Sequence, residues 1–223
     1  MKRACFAEFL GTAALVFAGT GAIVINDVSG GAITHVGVAM TFGLIVLAMI
    51  YTLGDISGAH FNPAVTLAFW RARRFDGAKV LPYVASQLGG ALLASGLLRA
   101  LFPAHATLGA TLPAGPAAQA FILEVELTAL LMLVVLNVST GAKEKGITAG
   151  IVIGAVIMLE AMFAGPVCGA SMNPARSLAP ALVSGNLGAL WIYLVAPTLG
   201  AWLAVGGCRA VQPAGCCRAG TAA

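Results

Sequence analysis

Charge is scarce in this sequence. Only 9% of its 223 residues are Asp, Glu, Lys or Arg, where a soluble domain carries about 25%. With 60% hydrophobic residues and a mean hydropathy of +0.96, the surface is not built to face water, which excludes a separate soluble domain. Histidine is scarcer still. Three scattered imidazoles offer neither a nucleophile–base pair nor a metal constellation, which argues against a membrane enzyme. The five cysteines (Cys5, Cys168, Cys208, Cys216 and Cys217) form no spaced framework. Four of them fall at or near the side of the chain's span pattern where thiols stay reduced. The trio Cys208, Cys216 and Cys217 could hold a soft metal ion. No histidine or partner motif accompanies it, so an untidy terminal segment is the expected reading. The first apolar run lacks a processing site and leads into a second, so no cleavable signal peptide is expected.

What is present is apolar sequence in lengths that cross a bilayer. A membrane helix needs about 20 such residues, and six stretches qualify, at about 5–26, 36–53, 80–98, 117–141, 147–164 and 187–208. The basic residues cluster on one side of this six-span pattern. Lys2 and Arg3 precede the first span, and Arg71, Arg73, Arg74 and Lys79 lie between the second and third. Lys143 and Lys145 join the fourth and fifth, while Arg209 and Arg218 follow the sixth. Loops 27–35 and 102–116 have no Lys or Arg. The positive-inside rule then puts both termini in the cytoplasm, with a multi-pass chain in a cell membrane. The net charge of +4 reports orientation, and no nucleic-acid partner is expected. Arg99 and Arg176 are the exceptions to the pattern.

The chain also repeats itself. Residues 57–68 read SGAHFNPAVTLA and residues 168–179 read CGASMNPARSLA, and Glu8-x-x-x-Thr12-Ala13 corresponds to Glu124-x-x-x-Thr128-Ala129. Each half holds three spans, an odd number, so the second copy enters the membrane inverted. The halves cover 4–100 and 117–209 of a single channel domain, 1–223. Inverted repeats place their functional site at the midplane where they meet. The apolar runs 62–70 and 173–183 are half a span long, so they predict two half-helices entering from opposite sides. The irregular stretches before them, Gly58-Ala59-His60 and Gly165-Pro166-Val167-Cys168-Gly169, are tolerable at that depth only if buried or lining water.

Asn62-Pro63-Ala64 and Asn173-Pro174-Ala175 are each a helix start. Asn caps the first turn, and proline suits the first helical position, which needs no N–H. With its side-chain oxygen so occupied, each asparagine points an NH2 group away from its helix, where a pair could orient a passing oxygen. Two helix N-termini aimed at one place repel cations there. Arg176, three residues after Asn173, shares its helical face. A cation inside an apolar element marks a pathway or a paired charge.

With these paired motifs the chain resembles the aquaporin (major intrinsic protein) family over residues 4–209. The resemblance implies an all-α membrane protein of six tilted helices plus two half-helices, assembled as a homotetramer with one pore per subunit and no cofactor or metal. It places Asn62 and Asn173 at the pore midplane and Arg176 in an outer filter with Phe42, Ala161 and Ala170. The alanines depart from strict water channels of the family, which usually carry histidine at the first of those positions. Classical glycerol facilitators have an Asp after the filter arginine, where this chain has Ser177. The stretch 164–177 is most similar to nodulin-like plant channels and their bacterial relatives, a subfamily that conducts glycerol and neutral metalloid hydroxides such as arsenous and boric acid. The expectation is therefore a passive channel for water and such solutes, not an enzyme. A water-selective channel, an alternating-access secondary transporter and an adhesive junction protein remain as alternatives.

Several polar residues need a role inside the spans. Glu8 and Glu124 are expected to brace the irregular segments by accepting backbone hydrogen bonds. Glu160 could brace the loop before Asn173, pair with Arg176 or line the pore, and the brace is preferred. His60 is expected to be a packed, hydrogen-bonded loop residue. Trp70, Trp191, Trp202 and Tyr193 read as interface or packing aromatics. Glu126 has no account from sequence.

Overall fold

The computed structural model describes residues 1–139 and 143–211 (backbone only over 143–146). Eight helices and no strand occur among the described residues: α1 Lys2–Val28, α2 Thr34–Ser57, α3 Pro63–Arg71, α4 Gly77–Leu101, α5 Ala117–Val138, α6 Lys143–Cys168, α7 Pro174–Ser184 and α8 Leu190–Val211. Six are long and apolar enough to cross a membrane; α3, with 9 residues, and α7, with 11, are not. Cys216, Cys217 and Arg218 lie outside the described residues, and Cys208 is buried on α8.

The inverted repeat is visible in the packing. α1 lies along α4 in one half and α5 along α8 in the other, while α2 against α6 joins the halves. Small residues set the closeness of these crossings. A Cβ on Gly90 of α4 would stand 2.1 Å from the Phe9 carbonyl of α1, and one on Gly200 of α8 would stand 2.2 Å from the Val125 carbonyl of α5. Phe9 and Val125 each follow the repeat's glutamate, so the two halves make the same contact. Between the halves, a Cβ on Gly43 would stand 2.5 Å from the Gly154 carbonyl and one on Gly154 2.7 Å from the Gly43 carbonyl.

Local backbone chemistry, more than hydropathy, ends these helices. α2 runs four residues past its apolar stretch and stops where Gly58 adopts φ 85°. α6 likewise stays helical to Cys168, through Pro166, so the irregular stretch expected from Gly165 begins only at Gly169 (φ 85°). Each half-helix starts at an extended asparagine followed by proline. The side of the bundle at which α1 begins and α8 ends is called the terminal side below, and the opposite side the far side.

Candidate functional site

The asparagines cap as their chemistry dictates. Asn62 Oδ1 accepts from Ala64 N at 2.9 Å, and Asn173 Oδ1 accepts from Ala175 N at 3.0 Å and Arg176 N at 3.3 Å. Their NH2 groups reach across the repeat. Asn62 Nδ2 donates to the Met172 carbonyl at 2.7 Å and Asn173 Nδ2 to the Phe61 carbonyl at 2.9 Å. Each amide nitrogen has two hydrogens, so one donor on each side remains for whatever occupies the cavity both residues line.

The segments before the motifs carry left-handed residues at matching places: Ala59 (51°) and Phe61 (49°), then Ala170 (41°) and Met172 (53°). Such φ values cost roughly 1–3 kcal/mol each outside glycine and need support. Glu8 accepts from His60 N at 3.0 Å and Phe61 N at 2.7 Å; Glu124 accepts from Ser171 N at 2.8 Å and Met172 N at 2.9 Å. Hydrogen bonds to a charged group contribute about 1.5–3 kcal/mol apiece, enough to offset that strain. Because the peptides are trans, the carbonyls of Ala59, His60, Ala170 and Ser171 point away from the glutamates. Those four residues line the inner cavity.

Two cavities follow the bundle axis. The inner one, about 140 Å³, runs from Ser139 and Phe69 on the terminal side past both asparagines. The far one, about 410 Å³, is bounded by Asn26, His35 and loop residues Ala110 to Leu112. The residues lining both are Phe42, Ala161, Ala170 and Arg176. The neck between the cavities is therefore one aromatic ring, two methyl groups and a guanidinium. Arg176 is 3% exposed, its Cζ lies 5.0 Å from the Phe42 ring centroid, and its Nη1 donates to the Gly109 carbonyl at 2.7 Å. Phe42 in turn fills the space over Gly19 of α1, where a Cβ would come within 2.1 Å of the ring.

The loop that presents Gly109 is held from several sides. His105 Nδ1 accepts from Leu108 N at 3.0 Å while its Nε2 lies 3.3 Å from Asp27. Arg99 donates to the carbonyls of Pro103 and His105, both at 2.9 Å. This explains a basic residue on the far side: it satisfies loop carbonyls.

Glu160 is fully buried, but neither carboxyl oxygen has a hydrogen-bond partner among the described residues. It braces no loop, does not pair with Arg176 and lines neither cavity. Residue 161 faces the neck, which turns its neighbour on α6 towards the helix packing. Of the two roles open to Tyr193, interface or packing, the structure shows packing: it is fully buried and donates to the Cys168 carbonyl at 2.7 Å. Its repeat counterpart Tyr83 donates to the Ser57 carbonyl at 2.9 Å. Gln87, which belongs to no sequence motif, donates through Nε2 to both Glu8 Oε2 (2.7 Å) and Thr66 Oγ1 (2.9 Å). His60 is packed, stacked on Phe69 at 4.8 Å and bonded to Thr66. Glu126 is exposed on α5 with no partner among the described residues. The tyrosines had a legible signal, since each follows its motif asparagine by 20 or 21 positions. Gln87 had none, because the second half has no glutamine to match it.

A multi-pass helical bundle with half-helix N-termini facing each other across an axial cavity defines a membrane channel, not an enzyme. Residues 1–206 match the Major intrinsic protein family, and the chain belongs to it: a passive channel for water and small solutes. It is 50% identical over 196 residues to Aquaporin NIP1-1 of Oryza sativa subsp. japonica, covering 87% of this chain and 69% of that protein. It is 48% identical over 196 residues to Nodulin-26 of Glycine max, covering 87% and 72%. Among solved structures it resembles the X-ray structure of the aquaglyceroporin from Plasmodium falciparum, with a TM-score of 0.84 and 26% identity, covering 92% of this chain and 94% of that one.

Proposed function

We propose that the pore passes small neutral polyhydroxy solutes as well as water: glycerol and metalloid hydroxides such as arsenous acid. The supporting observation is the composition of the neck. Ala161 and Ala170 present one methyl group each, opposite the apolar face of Phe42 and the donors of Arg176. A three-carbon polyol has a hydrocarbon edge for the ring and oxygens for the guanidinium. Phe42, Ala161, Ala170 and Arg176 act as the selectivity filter. Asn62 and Asn173 reorient the permeant at the midplane, where the N-termini of α3 and α7 disfavour cations. Glu8 and Glu124 brace the two segments that carry the carbonyl path.

The halves 4–100 and 117–209 form one channel domain. The clustering of Lys and Arg near the termini and in the loops on their side supports cytoplasmic termini in a cell membrane. Likeness to the family supports a homotetramer of independent pores.

Stopped-flow light scattering on proteoliposomes tests the reading, with water, glycerol and arsenous acid compared. All three should permeate, and Ala161→His should cut glycerol flux more than water flux by putting an imidazole into the neck. A protein that passes water but neither solute would make the water-selective alternative correct.

A further inference from the structure

Pro166 sits inside α6 without an N–H, so the carbonyl of Met162, four residues earlier, has no helical donor. His35, in the first turn of α2, replaces it by hydrogen-bonding that oxygen through Nε2 at 2.7 Å. A carbonyl only accepts. The proton of the neutral ring is therefore on Nε2, and Nδ1 is left as an acceptor. The ring stands against Gly165, where a Cβ would come within 2.9 Å of its Cε1, one turn along α6 from Ala161. It lines the far cavity together with Arg176.

That cavity has few polar side chains. Asn26 Oδ1 already accepts from Thr34 N at 2.8 Å, and the Thr111 hydroxyl donates to Ser177. Arg176 can only donate. His35 Nδ1 makes no hydrogen bond among the described residues. A solute carrying several hydroxyls must give up hydrogen bonds that it both donates and accepts on entering the neck, and this wall offers an acceptor to complement Arg176.

We propose that His35 is a fifth selectivity-determining residue, whose Nδ1 accepts from a permeant hydroxyl while Arg176 donates to another oxygen of the same molecule. This rests on the filter reading above and adds a residue that the motifs do not contain. Its side chain lies in the wide far cavity and not in the neck, so removing it raises the polyol's barrier without opening the narrowest section.

The glycerol-to-water permeability ratio in proteoliposomes tests the proposal. His35→Ala should lower it about three- to tenfold, the rate equivalent of one net hydrogen bond. His35→Gln, which keeps a donor and an acceptor, should hold it near the wild-type value. Pro166→Ala returns an N–H to the Met162 carbonyl, so the double variant His35→Ala/Pro166→Ala has the helix repaired and the acceptor still missing. Its ratio should stay low, and it carries the test if His35→Ala alone folds poorly. A wild-type ratio in the double variant would mean that His35 only caps α6, and a ratio that rises would mean that it acts by bulk; either overturns the proposal. Wild-type protein impermeable to glycerol would instead defeat the filter reading together with this one.

Discussion

A glycine in α1 sets the position of the aromatic ring in the neck. Gly19 leaves room for Phe42, and an added Cβ would fall 2.1 Å from the ring's Cε1. Atoms in contact need about 3.5–4 Å, so Gly19→Ala has to push the ring away from α1 and towards the guanidinium 5.0 Å from its centroid. Glycerol flux should fall more than water flux in that variant, with a stability cost of about 1–3 kcal/mol from overpacking. Unchanged or faster glycerol entry, measured by stopped flow beside a thermal melt in detergent, would show that Phe42 escapes in another direction.

At the scale of elements, the unit is a half-helix together with the segment that leads into it. Glu124 accepts from two consecutive backbone N–H groups, and the tyrosine of α8 holds the carbonyl at Cys168. Glu8, Tyr83 and Ser57 do the same in the first half. Glu124→Gln keeps the size of the side chain but turns one of its two acceptors into a donor facing an N–H. An unsatisfied buried donor costs about 1–3 kcal/mol, so the melting temperature should fall. Water flux should fall with it, because Ala170 and Met172 lose the support for their left-handed backbone. Glu8→Gln should behave in parallel, eased by Gln87, which can turn its amide oxygen towards the new NH2. A Glu124→Gln protein as stable and as conductive as the wild type would rule out the brace.

For the whole molecule, the question is whether the halves move against each other. Inverted repeats also build alternating-access transporters, which rock one half on the other. Here the buried bonds from Asn62 to Met172 and from Asn173 to Phe61 cross between the halves at the centre, and Arg74 of the first half donates to the Leu136 carbonyl of the second at 2.8 Å. Rocking would break the two central bonds without a replacement. Flux should therefore be passive: osmotic shrinkage of proteoliposomes with a low activation energy and no dependence on an imposed sodium or proton gradient. Transport that needs either gradient would establish the transporter instead.

The six spans, the inverted repeat, the two half-helices and their caps were all legible in the sequence. They depend on run lengths, on the internal match between 57–68 and 168–179, and on local chemistry in which asparagine and proline start a helix wherever they stand. Backbone hydrogen bonding inside a membrane leaves little else for such runs to become. Only the tertiary structure decided which side chains share a cavity. His35 meets Met162 across 127 positions, Gln87 meets Glu8 across 79, and Gly19 meets Phe42 across a helix pair, none with a local pattern to announce it. Glu160 shows the same limit from the other side. Its neighbour faces the neck while it is buried without a hydrogen-bond partner among the described residues, because one step along a helix turns a side chain by about 100°, and packing alone determines which face meets the pore.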